Sequence, residues 1–304
     1  MTGANGFIGA HLCRRLQKLG AEVHAVYRSA QGNSQDALAW WQADLANVQS
    51  VRRIIADTQP EIIYHLASHV KGAPGIEHVL PTFQSNLQST VNILTVAAET
   101  TRPRVVLTGS LAEPDLEAGE MFPSAPYAAA KWACSGYARM FQALYKLPVA
   151  IARVFMVYGP AQIDLTKLIP YVTLSLLQGK APEITSGKRL VDWIYVSDVV
   201  NGLIELGLSG NVDGTTVDLG SGSLVSIREI VEQVADVVGN GVAPIFGALP
   251  DRPMEPTRIA RIADSFAAIG WKPEVSLRQG LERTVDWYRR NYEVSPEPYQ
   301  AVPA

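Results

Sequence analysis

Thr2-Gly3-Ala4-Asn5-Gly6-Phe7-Ile8-Gly9 opens the chain with glycine at every third position. Gly3-x-x-Gly6-x-x-Gly9 reads as a tight turn. Ile8, Leu12, Leu16 and Leu19 then recur at helical spacing as far as Gly20. Glycines let a backbone approach a pyrophosphate closely. The helix N-terminus behind them offers free N–H groups and the positive end of a dipole. A turn that switches at once into helical periodicity predicts a dinucleotide site at Gly3, Asn5, Gly6, Phe7, Ile8 and Gly9. A hydrophobic strand belongs in front of such a turn, and here the chain starts at the turn itself. Either translation begins upstream, with a valine start codon read as Met1, or the sheet lacks its central strand. Such a loss exposes the neighbouring strands and destabilises the sheet.

Downstream, short apolar strands alternate with helices. Strands are predicted at 23–27, 62–66, 104–107 and 149–154, and helices at 51–55, 87–98 and 127–145. This alternation argues for α/β architecture, a doubly wound parallel sheet covered on both faces. Beyond Tyr158-Gly159-Pro160 the rhythm loosens. Helices are expected at 168–177, 199–208, 227–238 and 280–290, strands at 191–196 and 216–219, and a proline-rich loop at 244–256. The expected division is a dinucleotide-binding domain at 1–160 plus 190–222 and a smaller split substrate lobe at 161–189 plus 223–295. Residues 296–304 read as a disordered tail. Trp40, Trp41 and Trp132 are expected to be packing or surface aromatics. Trp271, Trp287 and Tyr288 are expected in the core of the second lobe.

Ser124-Ala-Pro-Tyr127-Ala-Ala-Ala-Lys131 supplies candidate chemistry. Tyr127 and Lys131 stand four apart on a predicted helix, so they share a face. An ammonium one turn from a phenol favours the phenolate, and Tyr127 can then exchange a proton with a substrate hydroxyl or carbonyl. Ser110 ends a predicted strand, the side on which open parallel sheets bind ligands. Its hydroxyl can orient the reacting oxygen.

The cofactor's other contacts are read from strand ends. Asp44-Leu45 falls where the third strand should end. Its carboxylate either accepts from an adenine amino group or caps the helix before Val48. The second strand ends in Tyr27-Arg28 with no acid for ribose hydroxyls, and Arg28 suits a 2′-phosphate. The cofactor is therefore NAD or NADP, with NADP favoured at this point.

The bulk numbers fit a soluble globular protein. Of 304 residues, 47% are hydrophobic and 18% charged, and the formal charge is −3. No basic surplus points to nucleic acid or anionic membrane, and no apolar run is long enough to span a bilayer. No signal peptide is visible, so a cytoplasmic protein is expected. Cys13 and Cys134 read as buried free thiols in a reducing compartment, and no Cys/His spacing suggests a metal site.

The chain resembles the extended short-chain dehydrogenase/reductases, the NAD-dependent epimerase/dehydratase family that modifies nucleotide sugars. The likeness runs from Thr2 to about Tyr292. It rests on the glycine turn, His65-Leu66-Ala67, Ser110, Tyr127-x-x-x-Lys131, Arg153 with Tyr158-Gly159-Pro160, Tyr195-Val196-x-Asp198 and Leu219-Gly220-Ser221-Gly222. It implies that Tyr127 donates or accepts the proton, that Lys131 assists it and holds the nicotinamide ribose, and that Ser110 orients the oxygen. It further implies that Asp44 and Leu45 hold adenine and that Leu66, Ala67 and Ser68 line the cofactor cleft. The implied reaction moves a hydride between nicotinamide and a sugar carbon, most often C4. An epimerase fits, with an NADPH-dependent 4-ketoreductase and a non-catalytic dinucleotide sensor as rivals. The implied partners are a nucleotide sugar and a second copy of the chain, packed through the Tyr127 helix and its predecessor.

The chain also departs from the family. Leu111-Ala112 follow Ser110 where dehydratases carry an acid pair, which argues against a 4,6-dehydratase. Met156 stands where the family has a substrate-contacting asparagine. Val191 replaces the usual arginine on the diphosphate, so Arg189, two residues back on the same strand face, is the expected substitute, with Arg252 and Arg258 as further candidates.

Overall fold

The computed structural model describes residues 1–28, 38–115, 119, 122–251 and 257–292. Arg252 and the tail at 296–304 lie outside the described residues. In chain order the elements begin with α1 (Phe7–Lys18), β1 (His24–Tyr27), β2 (Ala39–Gln42), α2 (Val48–Thr58), β3 (Ile62–His65), α3 (Val79–Thr82), α4 (Ser89–Glu99) and β4 (Arg104–Ser110). They continue with α5 (Pro126–Tyr145), β5 (Val149–Val154), β6 (Met156–Tyr158), α6 (Leu168–Leu177), β7 (Glu183–Ile184), β8 (Leu190–Tyr195) and α7 (Val196–Leu208). The last are β9 (Thr216–Leu219), β10 (Leu224–Ser226), α8 (Ile227–Val238), β11 (Ile245–Phe246), α9 (Ile262–Ile269) and α10 (Leu277–Asn291). The chain divides into two compact units, 1–154 with 200–219 and 263–271, and 155–199 with 220–262 and 272–304. Residues 155–160, 190–199 and 220–222, placed by the sequence with the first lobe, group with the second unit, and 263–271, placed with the second lobe, group with the first.

The first unit is a parallel α/β sheet. Strands β3, β4, β5 and β9 pair in that order, all parallel, and β1 pairs with β2, also parallel. Val105, Val106 and Leu107 on β4 and Val149 to Ala152 on β5 are buried on both faces, which is why these strands read as continuous apolar runs. Helices α2, α4 and α5 pack on them through Val51, Ile55, Ile93, Leu94, Cys134 and Phe141. Both cysteines are buried and neither is in a disulfide among the described residues.

A single residue ahead of the glycine turn links β1 and β3. Thr2 forms parallel bridges to Val26 of β1 and His65 of β3, through bonds of 2.8 to 3.2 Å between Met1 and Val26, Thr2 and Tyr64, and Leu66 and Thr2. Beside it lies an apolar cavity of about 50 Å³, lined by Met1, Val26, Ile54, Ile55 and Ile63 among others. The Met1 ammonium donates to His24 O at 2.9 Å, and burial lowers its pKa to about 6.

The second unit has a three-stranded sheet in which β8 lies between parallel β6 and antiparallel β10. Strands β7 and β11 form a short parallel pair, so the stretch expected to be wholly loop contains two residues of strand. Helices α6, α8 and α10 pack together. The Ser226 hydroxyl accepts from Glu229 N–H while Glu229 accepts from Ser226 N–H, a reciprocal cap that starts α8. Trp271 corrects an expectation. It belongs to the first unit, where Gly202 of α7 leaves room for its ring beside Leu219. Trp132 is partly exposed, and Trp41 Nε1 donates to His24 Nδ1 at 3.0 Å. Among the described residues no helix is long and apolar enough to cross a membrane.

Candidate active site

The glycine turn is built by close backbone approach. Gly3 has φ of 68°, the left-handed region, and a Cβ there would lie 2.7 Å from Ala67 N. A Cβ on Gly9 would lie 2.0 Å from Gly3 O, so α1 can reach the turn only with glycine at that position. Gly6 caps α1 without any side-chain bond, which leaves the first-turn N–H groups unblocked by a capping side chain. Ser68, on the segment after β3, has a buried hydroxyl with no partner among the described residues. An uncapped helix start beside an orphaned buried hydroxyl fits a dinucleotide diphosphate and its flanking sugar.

Beneath the turn, His65 organises a chain of bonds. Thr2 Oγ1 lies 2.7 Å from His65 Nδ1 and accepts from Ala67 N–H at 3.2 Å. His65 Nε2 lies 3.0 Å from Thr90 Oγ1, which donates to Asn86 O at 2.7 Å. Thr90 has used its proton, so Nε2 carries one and donates to Thr90, and Nδ1 accepts from Thr2. Burial, with Lys131 and the Met1 ammonium acting in the same direction, lowers the His65 pKa to about 3 and keeps the ring neutral.

Ser110 and the Tyr127–Lys131 pair sit on adjoining elements of the same unit. Ser110 ends β4, where its Oγ accepts from Ala112 N–H at 3.2 Å. Pro126 at the first helical position sets the start of α5, so Tyr127 and Lys131 fall on its first turns. Lys131 is buried and its Nζ donates to Thr108 O at 2.7 Å and to Thr108 Oγ1 at 3.3 Å. Nζ also lies 5.9 Å from the Tyr127 ring centre. Lys131 therefore ties α5 to β4 two residues before Ser110, while Tyr127 remains half-exposed.

The other expected residues fall as follows. Arg28 is exposed just past β1 and donates to Ser85 Oγ at 3.2 Å. Asp44 is exposed and accepts from Ala46 N–H at 3.0 Å. It does not cap α2, whose cap is Asn47. Leu45 is half-buried against Val51 and its neighbours. Leu66 and Ala67 are half-buried beside the glycine turn. Met156 opens β6 opposite Trp193, Arg189 precedes β8 and Arg258 is half-buried, all in the second unit. The sequence reading missed Glu113, although Ser110-x-x-Glu113 has the spacing of a reciprocal serine–glutamate cap. It also missed the part played by Thr90 and Asn86.

The chain is similar to known proteins along nearly its whole length. Residues 1–217 match the NAD dependent epimerase/dehydratase family. The UDP-glucose 4-epimerase of Mycolicibacterium smegmatis is 28% identical over 312 residues, which cover 95% of this chain and 97% of that one. The dTDP-glucose 4,6-dehydratase 1 of Escherichia coli is 26% identical, covering 96% and 92%. The solved UDP-glucose 4-epimerase of Thermus thermophilus, in complex with NAD, is 25% identical with a TM-score of 0.83, covering 96% and 98%. With most of its length inside the family match, this chain belongs to the NAD-dependent epimerase/dehydratase family, enzymes of the extended short-chain dehydrogenase/reductase type.

Proposed function

We propose that this enzyme is a nucleotide-sugar 4-epimerase that uses NAD, holding it at the glycine turn of Gly3, Gly6 and Gly9, with Asp44 and Leu45 toward the adenine and Ser68 toward the central sugars. NAD held there would supply the hydride acceptor and donor for the sugar carbinol. Tyr127 takes the hydroxyl proton and later gives it back. Ser110 holds the reacting oxygen, and Lys131 on the next turn fixes the helix that carries the phenol. The observation that carries this reading is the bond from Lys131 Nζ to Thr108 O, which fixes α5 against the strand that ends in Ser110.

Epimerisation is favoured over dehydration because Leu111 and Ala112 follow Ser110. The nearby carboxylate of Glu113 has both oxygens bonded, to Ser110 N and Ser135 Oγ. The UDP-glucose relatives make UDP-glucose the first substrate to try, with proton NMR to detect UDP-galactose. Tyr127→Phe should lower turnover by about 10²–10⁴-fold while NAD affinity, measured by calorimetry, persists. Full turnover in that variant overturns the reading.

A second reading is a 4-ketoreductase that consumes NADPH. It is favoured by exposed Arg28 after β1 and by Tyr27 where an acid would bind ribose. Mass spectrometry of the co-purifying dinucleotide separates the two: retained NAD supports the epimerase, and an empty protein that oxidises NADPH stoichiometrically supports the reductase. Homodimerisation through α5 and the helices before it is supported by exposed Leu80, Phe83, Tyr137 and Leu144 on that side of the first unit. Light scattering after size exclusion tests it.

A further inference from the structure

We propose that Glu113 is a positioning residue that holds Ser110 in register with Tyr127 and Lys131; the inference rests on the role assigned to those three. The turn after β4 folds Glu113 back onto the strand end. Its N–H donates to Ser110 O at 3.1 Å, and its Oε1 accepts from Ser110 N–H at 2.7 Å. Its Oε2 accepts from Ser135 Oγ at 2.7 Å. Ser135 follows Lys131 by four residues and Tyr127 by eight, so the three share one stripe of α5. One carboxylate thereby joins the backbone of Ser110 to the helix that carries the phenol and the ammonium.

Gly109 supplies an independent sign that the fold is built around this carboxylate. A Cβ at that position would lie 2.6 Å from Glu113 Oε1 and 3.1 Å from Ile151 Cγ2. Only glycine leaves the carboxylate room to reach Ser110 N–H. Glu113 is 8% exposed and Ser135 fully buried, so neither side chain is replaceable by water without rearrangement. Burial raises the carboxyl pKa, opposed by the bonds from Ser135 and Ser110 and by the charges of Lys131 and Arg153. Both oxygens are already engaged, which makes the residue a brace and not a proton donor to substrate. A reacting group displaced by about 1 Å loses roughly a hundredfold in rate, so bracing at this point acts directly on turnover.

The test compares Glu113→Ala, Glu113→Gln and Ser135→Ala in the full chain. Turnover is measured on UDP-glucose, or on the UDP- or dTDP-hexose that the wild type converts. NAD affinity is measured by calorimetry and Ser110 amide protection by hydrogen exchange. Glu113→Ala should lower kcat about a hundredfold, accelerate Ser110 exchange and leave NAD affinity within about twofold. Glu113→Gln should recover most of the rate and the protection, because its carbonyl accepts from Ser110 N–H and its amide donates to Ser135 Oγ. Ser135→Ala should keep Ser110 protected and lower kcat less; it decides the matter if Glu113→Ala does not fold. Wild-type kcat in Ser135→Ala and Glu113→Ala, unchanged Ser110 exchange in Glu113→Ala, or loss of rate in Glu113→Gln equal to that in Glu113→Ala each overturns the proposal. A merely structural role would weaken NAD binding along with kcat. Full turnover in Tyr127→Phe overturns the functional reading instead, and the exchange measurement still judges the hold of Glu113 on Ser110.

Discussion

Acid should loosen the cofactor site through one imidazole. His65 is buried, and its two ring nitrogens are matched by Thr2 and Thr90 only in the neutral form with hydrogen on Nε2. Its pKa falls from 6.5 in the unfolded chain to about 3 in the fold, through burial first and then the positive charges of Lys131 and the Met1 amine. A base with a depressed folded pKa binds fewer protons when native, so its contribution is full above pH 6.5 and is lost as pH falls toward 3. At 1.36 kcal/mol per pKa unit, the loss across that window is about 5 kcal/mol, comparable with the whole stability of a modest domain. Urea denaturation from pH 8 to 3, for wild type and His65→Gln, isolates the imidazole. The variant should start less stable and show a flatter decline below pH 6.5. The His65 ring resonance should still report the neutral form at about pH 5 by NMR. A normal titration near 6.5, or parallel slopes in the two proteins, refutes the reasoning.

Two further predictions address the rest of the frame. Gly9→Ala forces a methyl to within 2.0 Å of Gly3 O and should cost roughly 3 kcal/mol or more; denaturant unfolding reads the stability and calorimetry the accompanying loss of NAD affinity. Asp192→Ala strips the second unit of a buried carboxylate that accepts from Ser221 N–H and Oγ, Gly222 N–H and Ala260 N–H at 2.6 to 3.0 Å. Each stranded N–H costs roughly 1–3 kcal/mol, so the variant should unfold at markedly lower urea, and wild-type stability would show that water replaces the carboxylate.

The sequence was most legible where burial is symmetrical and the elements are long. Strand β5 and helices α6 and α8 lie where apolar runs and helical spacing put them, and α5 starts at its proline. The short strands β6, β7 and β10 hold two or three residues each, too few for any period to appear. Helix α9 was invisible for a different reason. Ile262, Phe266 and Ile269 have helical spacing but span only two turns after a proline-rich loop, and only Ser265 is deeply buried, its Oγ bonded to Asp218 O at 2.8 Å. The reactive residues of the candidate site were legible because they are few chemical types at fixed spacing. Their supports were not, because a brace such as Glu113 depends on Gly109 being small and on Ser135 arriving from another element.

Those supports share one electrostatic logic. Lys131 is buried and bonds a backbone carbonyl, whereas the Glu113 carboxylate is held by other donors. Arg153 Nε pairs with Asp218 Oδ1 at 2.7 Å between β5 and β9, and Glu113 is bonded to two serines. With Glu113 held by two serines, Lys131 keeps its own bond to Thr108 O and each group is satisfied by a neutral partner. The same arrangement explains why Glu113 can sit three residues from Ser110 in an enzyme whose proposed reaction eliminates no water. Its oxygens are committed to holding the strand and helix together, and the proton chemistry is left to the phenol.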